Sequence, residues 1–182
     1  MTAEEIISLL RLQPHPEGGF FAETYRSTGL IARENLPSCY GGDRSFGTAI
    51  YYLLTPGTFS SMHRLAGDEI FHHYLGDPVE MLHLFPDGRG KIALLGADLA
   101  SGMVPQAVVP ARVWQGARLA PGGTYALLGT TVAPGFDFAD FETGDRTDLG
   151  EMPPAPPAKD AKPVAVRGDV GEVAGDPNIH RA

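Results

Sequence analysis

At 182 residues the chain is long enough to bury one sizeable core and too short for two comfortable ones. Twenty-two Asp and Glu against fourteen Lys and Arg give a net charge of −8, which repels polyphosphate backbones and anionic membranes and argues against nucleic acid or a membrane as partner. A lone Cys39 cannot form an intramolecular disulfide, acidic Glu4 and Glu5 stand where a secretory leader would be basic, and no apolar run is long enough to span a bilayer; the chain reads as cytoplasmic.

Thr2 and Glu5 have the spacing of a capping box, and Ile6, Leu9 and Leu10 form one apolar stripe. A short amphipathic helix is therefore expected to open the chain and to stop near Gln13, ahead of Pro14 and Pro16. PHPEGGFFAETYRS, residues 14–27, reads as a Gly18-Gly19 turn followed by a strand from Phe20 to Arg26, with Phe21, Glu23 and Tyr25 on one face. On spacing alone this is a polar edge strand. Residues 27–47 read as a connecting loop, and TAIYYLL, residues 48–54, as a buried strand ended by Pro56-Gly57. From there to Val132, short runs (MHRL, EIFHHYL, VEMLHLF, KIALL, QAVV, RVWQGARL, YALLGTTV) alternate with turn signals such as Pro86-Asp87-Gly88 and Pro121-Gly122-Gly123. Many short strands without helical crossovers indicate an all-β sandwich or barrel. Phe136, Phe138 and Phe141 are expected to pack a last segment onto it. Residues 143–182 are rich in Pro, Gly, Ala and acid and hold no aromatic residue. They are expected to form an extended or disordered tail to a domain of residues 1–142.

Chemistry concentrates in GTFSSMHRLAGDEIFHHYLG, residues 57–76. Gly57, His63, Glu69 and Gly76 stand at the spacing of the first cupin motif, G-x5-H-x-H-x3-E-x6-G, with Leu65 in place of the second histidine. The second motif, P-x-G-x-x-H, is matched by Pro110-Ala111-Arg112-Val113-Trp114-Gln115, with Arg112 for glycine and Gln115 for histidine. In a barrel whose interior and exterior positions alternate, His63 and Leu65 point inward, and Glu69 does so with Phe71 and His73, leaving His72 outside. A metal set would then be His63, Glu69 and Gln115, with His72 or His73 as a substitute. One imidazole, one carboxylate and one amide oxygen form a poor cage for zinc, iron or copper, though they could hold one labile divalent ion. Without metal, a His63 hydrogen-bonded to Glu69 is suited to proton transfer. His72, His73 and His83, taken singly, read as satisfied or surface histidines more readily than as ligands.

Five blocks in order (PHPEGGFFAETYRS, TAIYYLL, HRLAGDEIFHHYLGDP, PQAVVPARVWQGA and TVAPGFDFADFE) closely resemble the cupin_5 family, also called DUF985, over roughly residues 5–142. The resemblance implies a double-stranded β-helix, the cupin jelly-roll barrel, here with a short N-terminal helix and a proline-rich C-terminal tail. It also implies a small-molecule ligand and a homodimer in which residues 20–26 are placed to cross to a partner barrel. Family motif positions fall here on His15, Glu17, Gly18, Gly19, Glu23, Tyr25, Ser60, His63, Glu69, Trp114 and Gln115. Phe71 replaces the family's usual tryptophan, and Arg112 a common glycine. By analogy with metal-independent sugar-nucleotide epimerases of the same fold, the resemblance implies an isomerase or epimerase on a small polar or carbohydrate-like substrate. His63 would be its base, Glu69 the orienter, and Tyr25 or Tyr52 the acid. Phe71, Trp114 and the tyrosines would stack on the ligand, and Glu17, Glu23, Ser60 and Gln115 would orient it. The alternatives are a metal-dependent oxygenase or lyase using His63, Glu69 and Gln115, and a non-catalytic binding module.

Overall fold

The computed structural model describes residues 1–144, so most of the segment expected as a tail lies outside the described residues. Thr2 Oγ1 accepts from the Glu5 N–H and the Glu5 carboxylate accepts from the Thr2 N–H, a complete capping box that starts α1 (Ala3–Leu10). Arg11, in the left-handed conformation, ends it. The strands follow as β1 (Gln13–Pro14), β2 (Phe20–Arg26), β3 (Leu30–Ile31), β4 (Arg44–Ser45), β5 (Thr48–Leu54), β6 (Phe59–Leu65), β7 (Glu69–Gly76), β8 (Val79–Leu84), β9 (Gly90–Leu95), β10 (Gln106–Val109), β11 (Trp114–Leu119), β12 (Ala126–Val132) and β13 (Phe141–Thr143). A six-stranded antiparallel sheet runs β1-β2-β5-β12-β7-β10 and a five-stranded one β13-β6-β11-β8-β9, with β3-β4 as a separate ribbon. This is the expected all-β architecture. Among the described residues no helix is long and apolar enough to cross a membrane.

Period-two alternation decides what goes inside. On β5, Tyr52 and Leu54 join Phe71, Met81, Val109 and Leu128 in the interior cluster, with Ile50 packed against it. Leu53, between them, points to the opposite face, where Leu127, Leu12 and Ile6 of α1 bury it. The helix therefore caps the outer side of the six-stranded sheet. Two bulges change the phase where it matters. On β6 the pairing shifts so that Ser60 stands opposite Ala117 and His63 opposite Gln115, three residues spanning two; Ser60 and His63 are thus both buried. On β2, Glu23 pairs with inward Ile50 but Tyr25 with Ala49, which turns Tyr25 out to solvent.

Strand β2 pairs with β5 of its own chain from Phe20 to Arg26. On its other edge β2 pairs with β1 only at Phe20 and Phe21, which leaves residues 22–26 open there among the described residues. The loop expected over residues 27–47 carries β3, β4 and one buried charge. Arg44 donates from Nε and Nη2 to the Asp140 carboxylate at 2.6 and 2.5 Å, both side chains being buried. That pair ties the loop to the 3₁₀ turn Phe138–Asp140 leading into β13. Arg112, where the family commonly has glycine, has φ 66°, the left-handed region that favours glycine. Its side chain pairs with Glu142, an acceptor it shares with Arg64.

Removing one member of a buried pair leaves the other charge uncompensated, which costs about 3–5 kcal/mol. Asp140→Ala should lose stability on that scale in urea unfolding. A loss near zero would show that Arg44 finds water or another acceptor.

Candidate functional site

A cavity of about 280 Å³ opens between the sheets at the Phe136–Phe138 end. It is lined by inward residues of β2 (Phe21, Glu23), β5 (Thr48, Ile50, Tyr52), β6 (Ser60, His63, Leu65), β7 (Glu69, Phe71) and β12 (Thr130, Val132). His15, Glu17, Arg26, Phe136, Asp137 and Phe138 complete it. A larger groove of about 720 Å³ lies over β6, β11, β8 and β9, but its charged residues, Glu80 and Arg118, are paired to each other.

Glu17 enters the barrel from the turn between β1 and β2. Gly18 has φ 104°, and a Cβ there would lie 2.2 Å from the Phe59 carbonyl oxygen, so only glycine lets the turn press onto β6. The Tyr52 hydroxyl donates to the Gly18 carbonyl at 2.7 Å, and the Ser61 N–H and hydroxyl donate to the Glu17 carbonyl at 3.0 and 2.9 Å. Held this way, Glu17 Oε2 lies 3.1 Å from His63 Nδ1 and accepts from Ser60 Oγ at 3.3 Å.

His63 Nδ1 is also 2.8 Å from the Ser61 carbonyl. A carbonyl can only accept, so Nδ1 carries a hydrogen and the neutral ring keeps its lone pair on Nε2. Nε2 lies 3.8 Å from Glu69 Oε2, and the same oxygen accepts from Gln115 Nε2 at 2.7 Å. Burial opposes charging of His63, but the neighbouring Glu69 and Glu17 carboxylates and the Ser61 carbonyl together raise its affinity for a proton. Burial pushes the Glu17 carboxyl up to about 7, against the opposing pull of His63. His15 accepts the Glu17 N–H at Nδ1, 3.2 Å away; burial and then the His63 charge push it down to about 4. Neutral His15, 4.0 Å from Glu17 Oε2, is therefore a polar neighbour and not an ion-pair partner.

Of the residues expected from sequence, His63, Glu69, Glu17, Glu23, Tyr52, Ser60 and Phe71 converge on the cavity. Five are placed elsewhere. Tyr25 is exposed on the outer side of β2, so it cannot be the acid. Trp114 precedes inward Gln115 on β11 and so faces away from it, buried beneath the Arg64 guanidinium, whose carbon lies 4.5 Å from the ring centroid. Gln115 points inward but stands behind Glu69, outside the lining. His72 lies beside Thr131 and Gln106, and His73 Nε2 is 3.0 Å from the Asp77 carbonyl, at the far end of β7. His15, Arg26, Thr130 and the Phe136–Phe138 segment were not singled out as pocket residues. Alternation along strands carries no signal for the turn and loop residues among them.

The donor set does not fit a cupin metal centre. His63 Nδ1 is committed to Ser61, Gln115 presents its amide nitrogen to Glu69, and His72 and His73 are remote. Among the described residues no group of three or more His, Cys, Asp or Glu is placed to hold a metal ion.

The family model Cupin_5, described as "Cupin superfamily (DUF985)", matches residues 4–144. Among curated proteins the chain is similar to the uncharacterized protein YML079W of Saccharomyces cerevisiae, 32% identical over 145 residues that cover 75% of this chain and 72% of that one. Among solved structures it is similar to a hypothetical protein from Leishmania major, at 35% identity and a TM-score of 0.74, covering 83% of this chain and 92% of that one. Protein SO0799 from Shewanella oneidensis is similar at 36% identity and a TM-score of 0.73, covering 84% and 90%.

Glu17 binds its proton more tightly in the folded state than in the unfolded chain. Its contribution to stability is thus full below pH 4.5 and is lost as pH rises through about 7. Glu17→Gln lacks this loss. Relative to the parent protein, the variant should gain roughly 2–3 kcal/mol in unfolding free energy from pH 4.5 to pH 7, with the gain levelling off by about pH 8. Parallel curves across that window would show that Glu17 titrates as an exposed carboxylate.

Proposed function

The chain belongs to the Cupin_5 (DUF985) family of the cupin superfamily, and we propose that it is a metal-independent isomerase or epimerase acting on a small, uncharged, carbohydrate-like carbonyl compound. The observation that carries this reading is one imidazole held between two buried carboxylates, with its tautomer fixed by the Ser61 carbonyl and its Nε2 lone pair left available. In this reading His63 Nε2 takes the proton from a carbon next to the carbonyl, and the electrons of the broken C–H bond pass to the carbonyl oxygen. Glu17, whose proton is poised near neutrality, supplies that oxygen with a proton or a hydrogen bond. Glu69, oriented by Gln115, stabilises the imidazolium. Return of the proton from His63 to the neighbouring carbon, with the second hydroxyl proton passing to the Glu17 carboxylate, completes the isomerisation; epimerisation requires a proton delivered instead to the opposite face.

Glu17 takes the place expected for a tyrosine. Tyr25 is outside, and the Tyr52 hydroxyl donates to Gly18 while burial holds its proton above the usual tyrosine range. Charge narrows the substrate class. The lining carries Glu17, Glu23, Glu69 and Asp137, and its one arginine, Arg26, is bonded to both Glu23 carboxylate oxygens at 3.0 and 2.7 Å and to the Phe136 carbonyl at 3.1 Å. A phosphate or carboxylate would meet repulsion there. A cavity of 280 Å³ suits a small ligand, and Phe21, Phe71, Phe136 and Phe138 offer apolar faces to a sugar-like ring. A homodimer is part of the proposal, with the open outer edge of β2 at residues 22–26 placed to meet a partner barrel.

The test is exchange of carbon-bound hydrogen in D₂O, read by NMR over a panel of neutral aldoses and ketoses. His63→Ala should slow exchange of the accepted substrate by at least about 100-fold, and Glu17→Gln by roughly tenfold or more. Undiminished exchange in His63→Ala would discard the assignment. Loss of exchange on chelation, restored by a divalent ion, would favour metal-assisted chemistry instead, and saturable binding without exchange would favour a binding module.

A further inference from the structure

Behind Glu69, the five-stranded sheet carries a row of inward polar side chains. His63 on β6 pairs in register with Gln115 on β11, and Gln115 pairs with His83 on β8. All three are buried, at 3%, 1% and 2% exposure. Gln115 Nε2 donates to Glu69 Oε2, while Gln115 Oε1 and His83 Nε2 have no hydrogen-bond partner among the described residues. Two orphaned polar atoms on paired positions of one sheet face call for an explanation, because each is costly to leave unmade in an apolar interior.

They are complementary. An amide oxygen only accepts, and an imidazole Nε2 can donate. Nothing near His83 favours its charged form: burial and then Lys91, its register partner on β9, push it down to about 4. A neutral ring has one N–H to place, and Gln115 Oε1 is the buried acceptor on the adjacent strand.

We infer that His83 is a positioning residue for Glu69, acting through Gln115: in its Nε2–H tautomer it donates towards Gln115 Oε1 through one buried water. The row then runs one way, from His83 Nε2–H through the water to Gln115 Oε1 and from Gln115 Nε2–H to Glu69 Oε2, the oxygen that faces His63 Nε2. Its consequence is orientational. A primary amide can offer either end to Glu69, and the wrong end sets oxygen against carboxylate; a donor at Oε1 keeps the donor end on Glu69. Glu69 is thereby held as the acceptor for the proton that His63 takes up, so the inference rests on the proton-transfer reading of His63.

The first measurement is the tautomer of His83, by long-range ¹H–¹⁵N NMR of the full chain labelled at histidine. An Nε2–H tautomer that persists from about pH 5 to 8 is expected. An Nδ1–H tautomer, or a ring that charges with the midpoint of a solvated histidine, would overturn the inference. His83→Phe removes the donor, whereas His83→Gln keeps an N–H. With the deuterium-exchange substrate, His83→Phe should lower kcat roughly three- to tenfold at unchanged KM, and His83→Gln should recover most of it. Equal losses in both would reduce His83 to a packing residue and overturn the assignment. The tautomer is read on the parent protein, so a His83→Phe chain that fails to fold does not remove the test. It is also independent of turnover, so full activity in His63→Ala would discard the isomerase reading without touching this result.

Discussion

Two carboxylates and an imidazole meet inside a largely apolar barrel, and the rest of the molecule answers to what that burial costs. An ionised group loses several kcal/mol of hydration in such a place unless it is paired and hydrogen-bonded. Each member of Glu17–His63–Glu69 is accordingly supplied from the backbone or from a neighbouring strand: Ser60 for Glu17, Ser61 for His63, Gln115 for Glu69. The arrangement does not neutralise itself fully. Burial drives Glu17 towards holding its proton, while the carboxylates together draw one onto His63. Groups pushed in this way are suited to exchanging protons near neutrality.

Delivery of these groups depends on interruptions of regular structure. A strictly alternating β6 could not bury both Ser60 and His63, and the bulge between them does so. Glu17 reaches the interior from a turn and not from a strand, and that turn can lie against β6 only because Gly18 has no side chain. The wall is closed by the segment after β12, where the buried Arg44–Asp140 pair fixes the approach to β13 and with it Phe136–Phe138 at the mouth.

The architecture was largely legible in the sequence because capping, alternation and turn residues act locally: Thr2 and Glu5 cap α1, and the strands from β5 to β12 fall on the apolar runs. His63 and Glu69 were legible through motif spacing. Errors arose where phase depends on pairing. Tyr25 shares a face with Glu23 only in an unbulged strand, and the shift opposite Ile50 and Ala49 is invisible in one sequence. Trp114 is a different matter, since adjacent residues on a strand cannot both face inward and Gln115 does. His83 carries no signal of its own in the sequence, because no local pattern shows which histidine lies in register with Gln115. Arg112 was recognised as a departure from the family's glycine, and its positive φ gives the physical reason a glycine is common there.

The bulged residue Ser61 meets both sides of the site mainly through its backbone: its N–H holds the Glu17 carbonyl and its carbonyl holds His63 Nδ1, while its hydroxyl only duplicates the first contact. Natural variation at this position should therefore look permissive. Most side chains can stand there, proline excepted because it lacks the N–H, and a ranking of residues by how invariant they are would pass over it. The length of the segment is another matter, because adding or removing one residue between Ser60 and His63 would move that carbonyl away from the imidazole. The evolutionary constraint on this site is thus written in the spacing between residues as much as in their identity, and comparison of relatives would find it in gaps more readily than in substitutions.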